Sequence, residues 1–161
     1  MATTKGYRGD GVIIANHLII RTGTTITAGM PIIGDLSGTN VVSHCTALAE
    51  ASGFIGILLE TLTGPHTGIT YATEGLWEFT GAASTTEGFT GCQLAPGMKV
   101  YIVSGLLVRG WSDTAATLTG VKPIGIACEF PNGPLTSGTT RTVLVKIMPQ
   151  MLMPDVLVVT N

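Results

Sequence analysis

From about residue 24 onward, short runs of β-branched and aliphatic residues alternate with Gly, Pro, Asn and Asp. The turn residues recur roughly every 8–12 positions, the spacing of a small antiparallel β-sandwich or barrel. This pattern predicts strands over 30–33, 41–43, 54–60, 69–79, 98–103, 106–109, 123–129 and 141–148. Helical propensity is confined to residues 46–52, under two turns and too short to persist alone. Pro31, Pro65, Pro96, Pro123, Pro131 and Pro134 fall at expected strand edges or turns, where a missing N–H does least harm.

The first 21 residues break this rhythm. Met1 to Gly11 is polar and Gly-rich and carries Lys5, Arg8 and Asp10. Val12-Ile13-Ile14-Ala15 and Leu18-Ile19-Ile20 follow, split by Asn16-His17. The segment fits either an extended N-terminal arm over 1–21 or the first strand of the core. At the other end, residues 149–161 form an apolar C-terminal tail containing Met151-Leu152-Met153 and Val156-Leu157-Val158-Val159.

Within the β region the sequence repeats itself. Thr27-Ala28-Gly29-Met30-Pro31-Ile32-Ile33 is echoed by Ala95-Pro96-Gly97-Met98-Lys99-Val100-Tyr101, and Phe54-Ile55-Gly56-Ile57 by Pro123-Ile124-Gly125-Ile126. Gly29 to Gly97 is 68 positions and Gly56 to Gly125 is 69, so the offsets agree. Gly29 and Gly97 stand where a type II turn needs positive φ. Gly56 and Gly125 place a residue without a side chain where another strand packs closely or the sheet bends. A pseudo-two-fold repeat is expected within one domain over 22–148, with halves near 24–79 and 94–148 and a polar connector over 80–93. Two independent domains of about 65 residues each would bury too little core.

Composition narrows the function. Charged residues make up 11% of the chain, less than half of the usual ~25%. Mean hydropathy is +0.46, and 22 Gly with 25 Thr favour strands and turns. With so much apolar content and a net charge of −2, disorder is not expected. The eight Lys and Arg are scattered singly, so no nucleic-acid surface is expected. No segment reaches the ~20 apolar residues of a membrane helix, and no signal-peptide h-region is read at the N-terminus; the three widely spaced cysteines encode no disulfide framework, which points to synthesis in a reducing cytosol. So little charge on a small domain suggests that part of its surface is covered by assembly.

The repeated elements resemble a known family, the capsid decoration (cement, or head-stabilising) proteins of tailed bacteriophages. The resemblance is carried by the "Ala-Gly-x-x-Val" turns and "Ile/Val-Gly-Val-Ala" strands, here in 27–33, 54–60, 70–79, 94–101, 123–130 and 141–148. Ala72-Thr73-Glu74-Gly75-Leu76-Trp77-Glu78-Phe79 is similar to the family's "Glu-Gly-Val-Phe-Glu-Leu" strand. The longer N-terminal arm and the apolar tail depart from the pattern. The resemblance implies an all-β, β-tulip-like barrel or sandwich. It also implies a non-enzymatic virion protein on the outer surface of the phage head, stabilising it against internal DNA pressure. The partners it implies are the major capsid protein and the chain itself, as a homotrimer or as a dimer at two-fold positions. Lys5 and Arg8 are then either a solvated tail or contacts to an acidic capsid face, with Val12, Ile13 and Ile14 as further capsid-contact candidates. The competing readings are a tail or fibre β-module and a carbohydrate-binding module.

No catalytic, cofactor or metal set is encoded. His17, His44 and His66 lack metal-ligand spacing with one another or with Cys45, Cys92 and Cys128, and the cysteines are expected to be buried as small hydrophobes. Glu74 and Glu78, if on one strand, would share a face about 13 Å apart. That separation does not by itself dismiss a carboxylate pair, but no aromatic cleft pattern accompanies it. Trp77 is either a core residue or an interface anchor. Trp111, between Arg109-Gly110 and Ser112-Asp113, is expected in a turn and more exposed, and is the second interface-anchor candidate.

Overall fold

The computed structural model describes residues 11–35, 37–44, 46, 53–82, 94–110, 123–133 and 139–148. These are all-β, without a helix. Residues 47–52, expected to be locally helical, and the connector beyond Ala82 lie outside the described residues.

The strands build two units. The first is a five-stranded sheet in the order β1 (Val12–Ile20), β7 (His66–Ala72), β5 (Phe54–Leu58), β3 (Pro31–Gly34), β4 (Val42–His44). Its two ends meet at one parallel bridge, Ile19 to Val41. The second unit is a closed barrel of β8 (Gly75–Ala82), β12 (Thr140–Ile147), β11 (Gly125–Glu129), β9 (Lys99–Ser104) and β10 (Leu107–Gly110). Strand for strand the two orders correspond, and β10 closes on β8 in parallel, as β4 bridges to β1. A small ladder of β2 (Thr25–Ile26) and β6 (Leu62–Thr63) is appended to the first unit.

The duplicated glycines occupy equivalent places. Gly29 has φ 86° and Gly97 φ 89°, as a type II turn requires of its third residue. Met30 N–H donates to Thr27 O at 3.1 Å, and Met98 N–H to Ala95 O at 3.1 Å. Gly29 N–H reaches Leu58 O and Gly97 N–H reaches Ala127 O. A Cβ on Gly56 would lie 2.4 Å from Ala72 O, and one on Gly125 2.1 Å from Lys146 O. Both glycines therefore let a neighbouring backbone approach closer than any side chain permits.

Two boundaries differ from the sequence reading. The strand expected over 69–79 is two strands, because Gly75 at φ 110° turns the chain between β7 and β8. Those strands belong to different units: β8 pairs with β12 over eight residues, from Gly75–Ile147 to Ala82–Thr140. The second unit thus starts at Gly75, and the first includes residues 12–20 of the segment read as an arm. A hydrophobic pattern marks a strand but not the sheet it joins.

Packing follows from strand alternation. Ile20, Ile26, Ile32, Val42, Leu58, Leu62 and Ile69 form the interior of the first unit. Their neighbours Ile33, Phe54, Ile57 and Ala72 are buried in a second cluster with the interior of the barrel, including Trp77, Phe79, Val100, Tyr101, Val143 and Val145. β3 and β5 are therefore apolar on both faces, which explains their unbroken apolar runs.

Gly125→Ala should cost about 3 kcal/mol, since backbone rather than a side-chain tip blocks the new methyl. Gly97→Ala has open space around it and should cost only the left-handed penalty of about 1–2 kcal/mol. Denaturant unfolding of the two variants checks the order.

Candidate interaction surface

The unusual surface of the described residues is the first half of β1. Its β-branched residues favour an extended chain, and it pairs antiparallel with β7: Val12–Ala72, Ile13–Tyr71, Ile14–Thr70 and Ala15–Ile69. The register then shifts before Ile19–Thr67, so Asn16-His17-Leu18 stand against Gly68 alone. Gly68, at φ 89°, accommodates this bulge. Beyond it β1 is well anchored, with Ile20 fully buried and Ile19 N–H donating to Asn40 O at 2.8 Å.

Before the bulge the strand is uncovered. Val12 is 39%, Ile13 41% and Ile14 71% exposed, and these are the exposed large hydrophobics of the described residues. The second unit supplies the comparison. Ile57 pairs with Ala72 as Ile126 pairs with Lys146, so Val12, opposite Ala72, corresponds to Leu76, opposite Lys146. Ile13 then corresponds to Trp77. Trp77 is 4% exposed, and its indole N–H donates to Glu74 O at 3.0 Å. The same strand position is covered in one unit and open in the other.

One edge of this segment is open as well. Thr73 N–H donates to Gly11 O at 2.7 Å, so Gly11 and Thr73 are a hydrogen-bonded pair. By antiparallel alternation Ile13 and Ala15 direct their backbone groups to β7, whereas Val12 and Ile14 direct theirs away. Among the described residues no strand lies along that outer edge at residues 12–15.

The other sequence candidates are dispersed. Lys5, Arg8, Trp111, Cys45 and Cys92 lie outside the described residues. Trp77 belongs to the core and is not available to a partner. Cys128 is half-buried, with its thiol 3.6 Å from Ile126 O. Glu74 lies in the turn before β8 and Glu78 within it, so the two carboxylates are not on one continuous strand. Among the described residues no three His, Cys, Asp or Glu side chains gather into a metal-binding group. A shallow depression of about 440 Å³ is lined by Thr80, Asn132, Thr140, Arg141 and Thr142. No aromatic ring is among its described lining residues.

The far end of β1 is tied to the β3–β4 loop through polar contacts. Asp35 Oδ1 accepts Ser37 N–H at 2.8 Å and also the Ser37 hydroxyl, and Arg21 Nη2 donates to Ser37 O at 2.8 Å. The Ser37 hydroxyl, then its N–H, and Arg21 more weakly, hold the Asp35 carboxyl below the usual carboxylate range. Tyr71, beside Ile13 on β7, has its phenol pushed above the ordinary value by desolvation.

Compared with family models and with curated proteins, the sequence gives no match.

A depressed folded-state pKa stabilises above the unfolded value, and the contribution is lost as pH falls through the folded value. The Asp35–Ser37 loop should therefore loosen only in acid, below the usual carboxylate titration. Ser37→Ala should move the Asp35 midpoint upward in a carboxyl-detected NMR titration. An unchanged midpoint would contradict the hydrogen-bond origin of the shift.

Proposed function

We propose that this chain is a structural subunit that coats the outer face of a tailed-phage head and stabilises it. The observation that carries this reading is the exposed β-branched segment Val12-Ile13-Ile14 with its open backbone edge. Strand addition needs such an edge: main-chain hydrogen bonds supply affinity, and side chains on alternate positions supply selectivity. A strand of the major capsid protein is the proposed occupant. The segment that leads into β1 carries Lys5 and Arg8, which add a salt-dependent attraction to acidic capsid loops.

Three further features support the reading. The sequence resembles decoration proteins along 27–33, 54–60 and their repeats. Charged residues are only 11% of the chain, as befits a surface partly covered in an assembly. The sheet of the first unit holds β1 in register against β7 and leaves it as an edge strand. The proposed oligomer is a homotrimer, in which several β1 edges act together and raise avidity without new contacts. No enzymatic step is assigned, and the proposed location is the outer surface of the virion.

The test uses purified heads stripped of their decoration subunit. Ile14→Asp touches a side chain that is mostly in solvent, so unfolding stability should change by less than about 0.5 kcal/mol. Coating should nevertheless fall by at least about ten-fold, since the charge would be buried beside an apolar capsid strand. Deleting residues 2–11 should weaken coating chiefly at low salt. If both variants saturate heads at the concentration the unaltered chain needs, β1 is not the anchor.

A further inference from the structure

The chain leaves β11 through Phe130-Pro131-Asn132-Gly133. Gly133 N–H donates to Phe130 O at 3.1 Å. Asn132 keeps a negative φ, whereas Gly133 has φ 93°. This is a type I turn, with Pro at its second position, Asn at its third and Gly at its fourth, each a favoured choice. The Asn132 side chain is exposed. Its Nδ2 donates to the Thr142 hydroxyl at 3.4 Å, long for a hydrogen bond. The side-chain amide and the next main-chain nitrogen are thus each held by a single modest contact.

An asparagine followed by glycine carries chemistry of its own. The glycine nitrogen can attack the side-chain carbonyl carbon, because no Cβ stands beside it and the glycine backbone reaches the required conformation at little cost. The space around Gly133 is open: a Cβ built there meets nothing within 4 Å. Attack requires the Phe130–Gly133 hydrogen bond to open and Asn132 to swing away from Thr142. The first contact closes one turn and the second is exposed, and opening of this kind costs far less than global unfolding. Asn16 and Asn40 are exposed too. His17 and Val41 follow them, and a side chain at that position crowds the attacking nitrogen.

We propose that Asn132 is a deamidation site of the folded chain, reached by local opening of the 130–133 turn. The Gly133 nitrogen gives its proton to hydroxide and bonds to Asn132 Cγ. The Cγ–Nδ2 bond breaks, and ammonia leaves after taking a proton from water. Water then opens the cyclic imide at either carbonyl, leaving aspartate or isoaspartate at position 132. The product puts a carboxylate into the depression lined by Thr80, Thr140, Arg141 and Thr142, where Arg141 is the charged group among the described lining residues. One negative charge is added to the formal net charge of −2. Isoaspartate also inserts a methylene into the main chain, so the Phe130–Gly133 bond cannot re-form in its original geometry. The barrel surface beside β12 therefore changes charge as the protein ages, whether or not the decoration reading holds.

Incubation of the full-length chain in mildly alkaline buffer, followed by peptide mass spectrometry, tests the proposal. Conversion should concentrate at Asn132, at least about ten-fold faster than at Asn16 or Asn40, with isoaspartate among the products. The rate should stay within about two-fold as urea is raised below the unfolding midpoint, because a local opening exposes little surface. Gly133→Ala should slow conversion at least about ten-fold while the near-ultraviolet circular dichroism is retained. An Asn132 that stays intact in the folded chain over a period that fully converts the urea-unfolded chain overturns the proposal. So does a rate that climbs exponentially with urea, which assigns the reaction to globally unfolded molecules. Aspartate without isoaspartate, or undiminished conversion in Gly133→Ala, overturns the main-chain attack. The urea series uses the unaltered chain and decides the matter if Gly133→Ala fails to fold.

Discussion

The apolar contact between the outer face of the first unit and the interior of the barrel governs the rest of the structure. Ile33, Phe54, Ile57 and Ala72 are buried with Trp77, Tyr101 and Val145 in one cluster. A five-stranded unit of this size has a small interior, and its share of buried surface is correspondingly low. Making β3 and β5 apolar on both faces lets each strand contribute twice, once to its own unit and once to the joint. Gly56 supports the arrangement by letting the Ala72 carbonyl approach to a distance that no Cβ tolerates.

The joint also breaks the equivalence of the two units. Two copies of one topology packed together leave corresponding surfaces in different environments. Trp77 on β8 is enclosed, while Ile13 on β1, at the matching register, remains 41% exposed. The large aromatic stands where a cluster surrounds it, and the smaller aliphatic residues where the chain ends its own packing. Among the described residues, the repeat supplies the strand position in both units but encloses it only in the second. Such a position is suited to a strand from elsewhere, which is why the functional reading centres on β1.

Much of this was legible in the sequence because particular residues carry strong local constraints. Gly29 and Gly97 announced their turns through the positive φ that a type II turn demands, and Gly56 and Gly125 announced close backbone approach. Strand positions such as 30–33, 98–103 and 141–148 followed from β-branched runs between turn residues. What was not legible depends on contacts far apart in the chain. Residues 69–79 look like one strand, and only the pairing of β8 with β12 shows that the break at Gly75 is a boundary between units. β1 was open between arm and core strand because Asn16-His17 interrupts its apolar run, and the bulge that absorbs the interruption needs Gly68 on a strand some fifty residues away. Whether Trp77 was core or anchor likewise turned on a cluster assembled from both units. The uncovered edge at residues 12–15 has no sequence signature, since it is set by the contact with β4 beginning only at Ile19.

Coating of a phage head, as proposed for this chain, would fix its abundance in the virion. Quantitative mass spectrometry of purified virions, measuring the chain against the major capsid protein, tests it most directly. A simple whole-number ratio to the capsid protein is expected, with the chain present in comparable abundance and released before the shell dissociates. A chain absent from virions, or present at the few copies expected of a tail or fibre component, would contradict it.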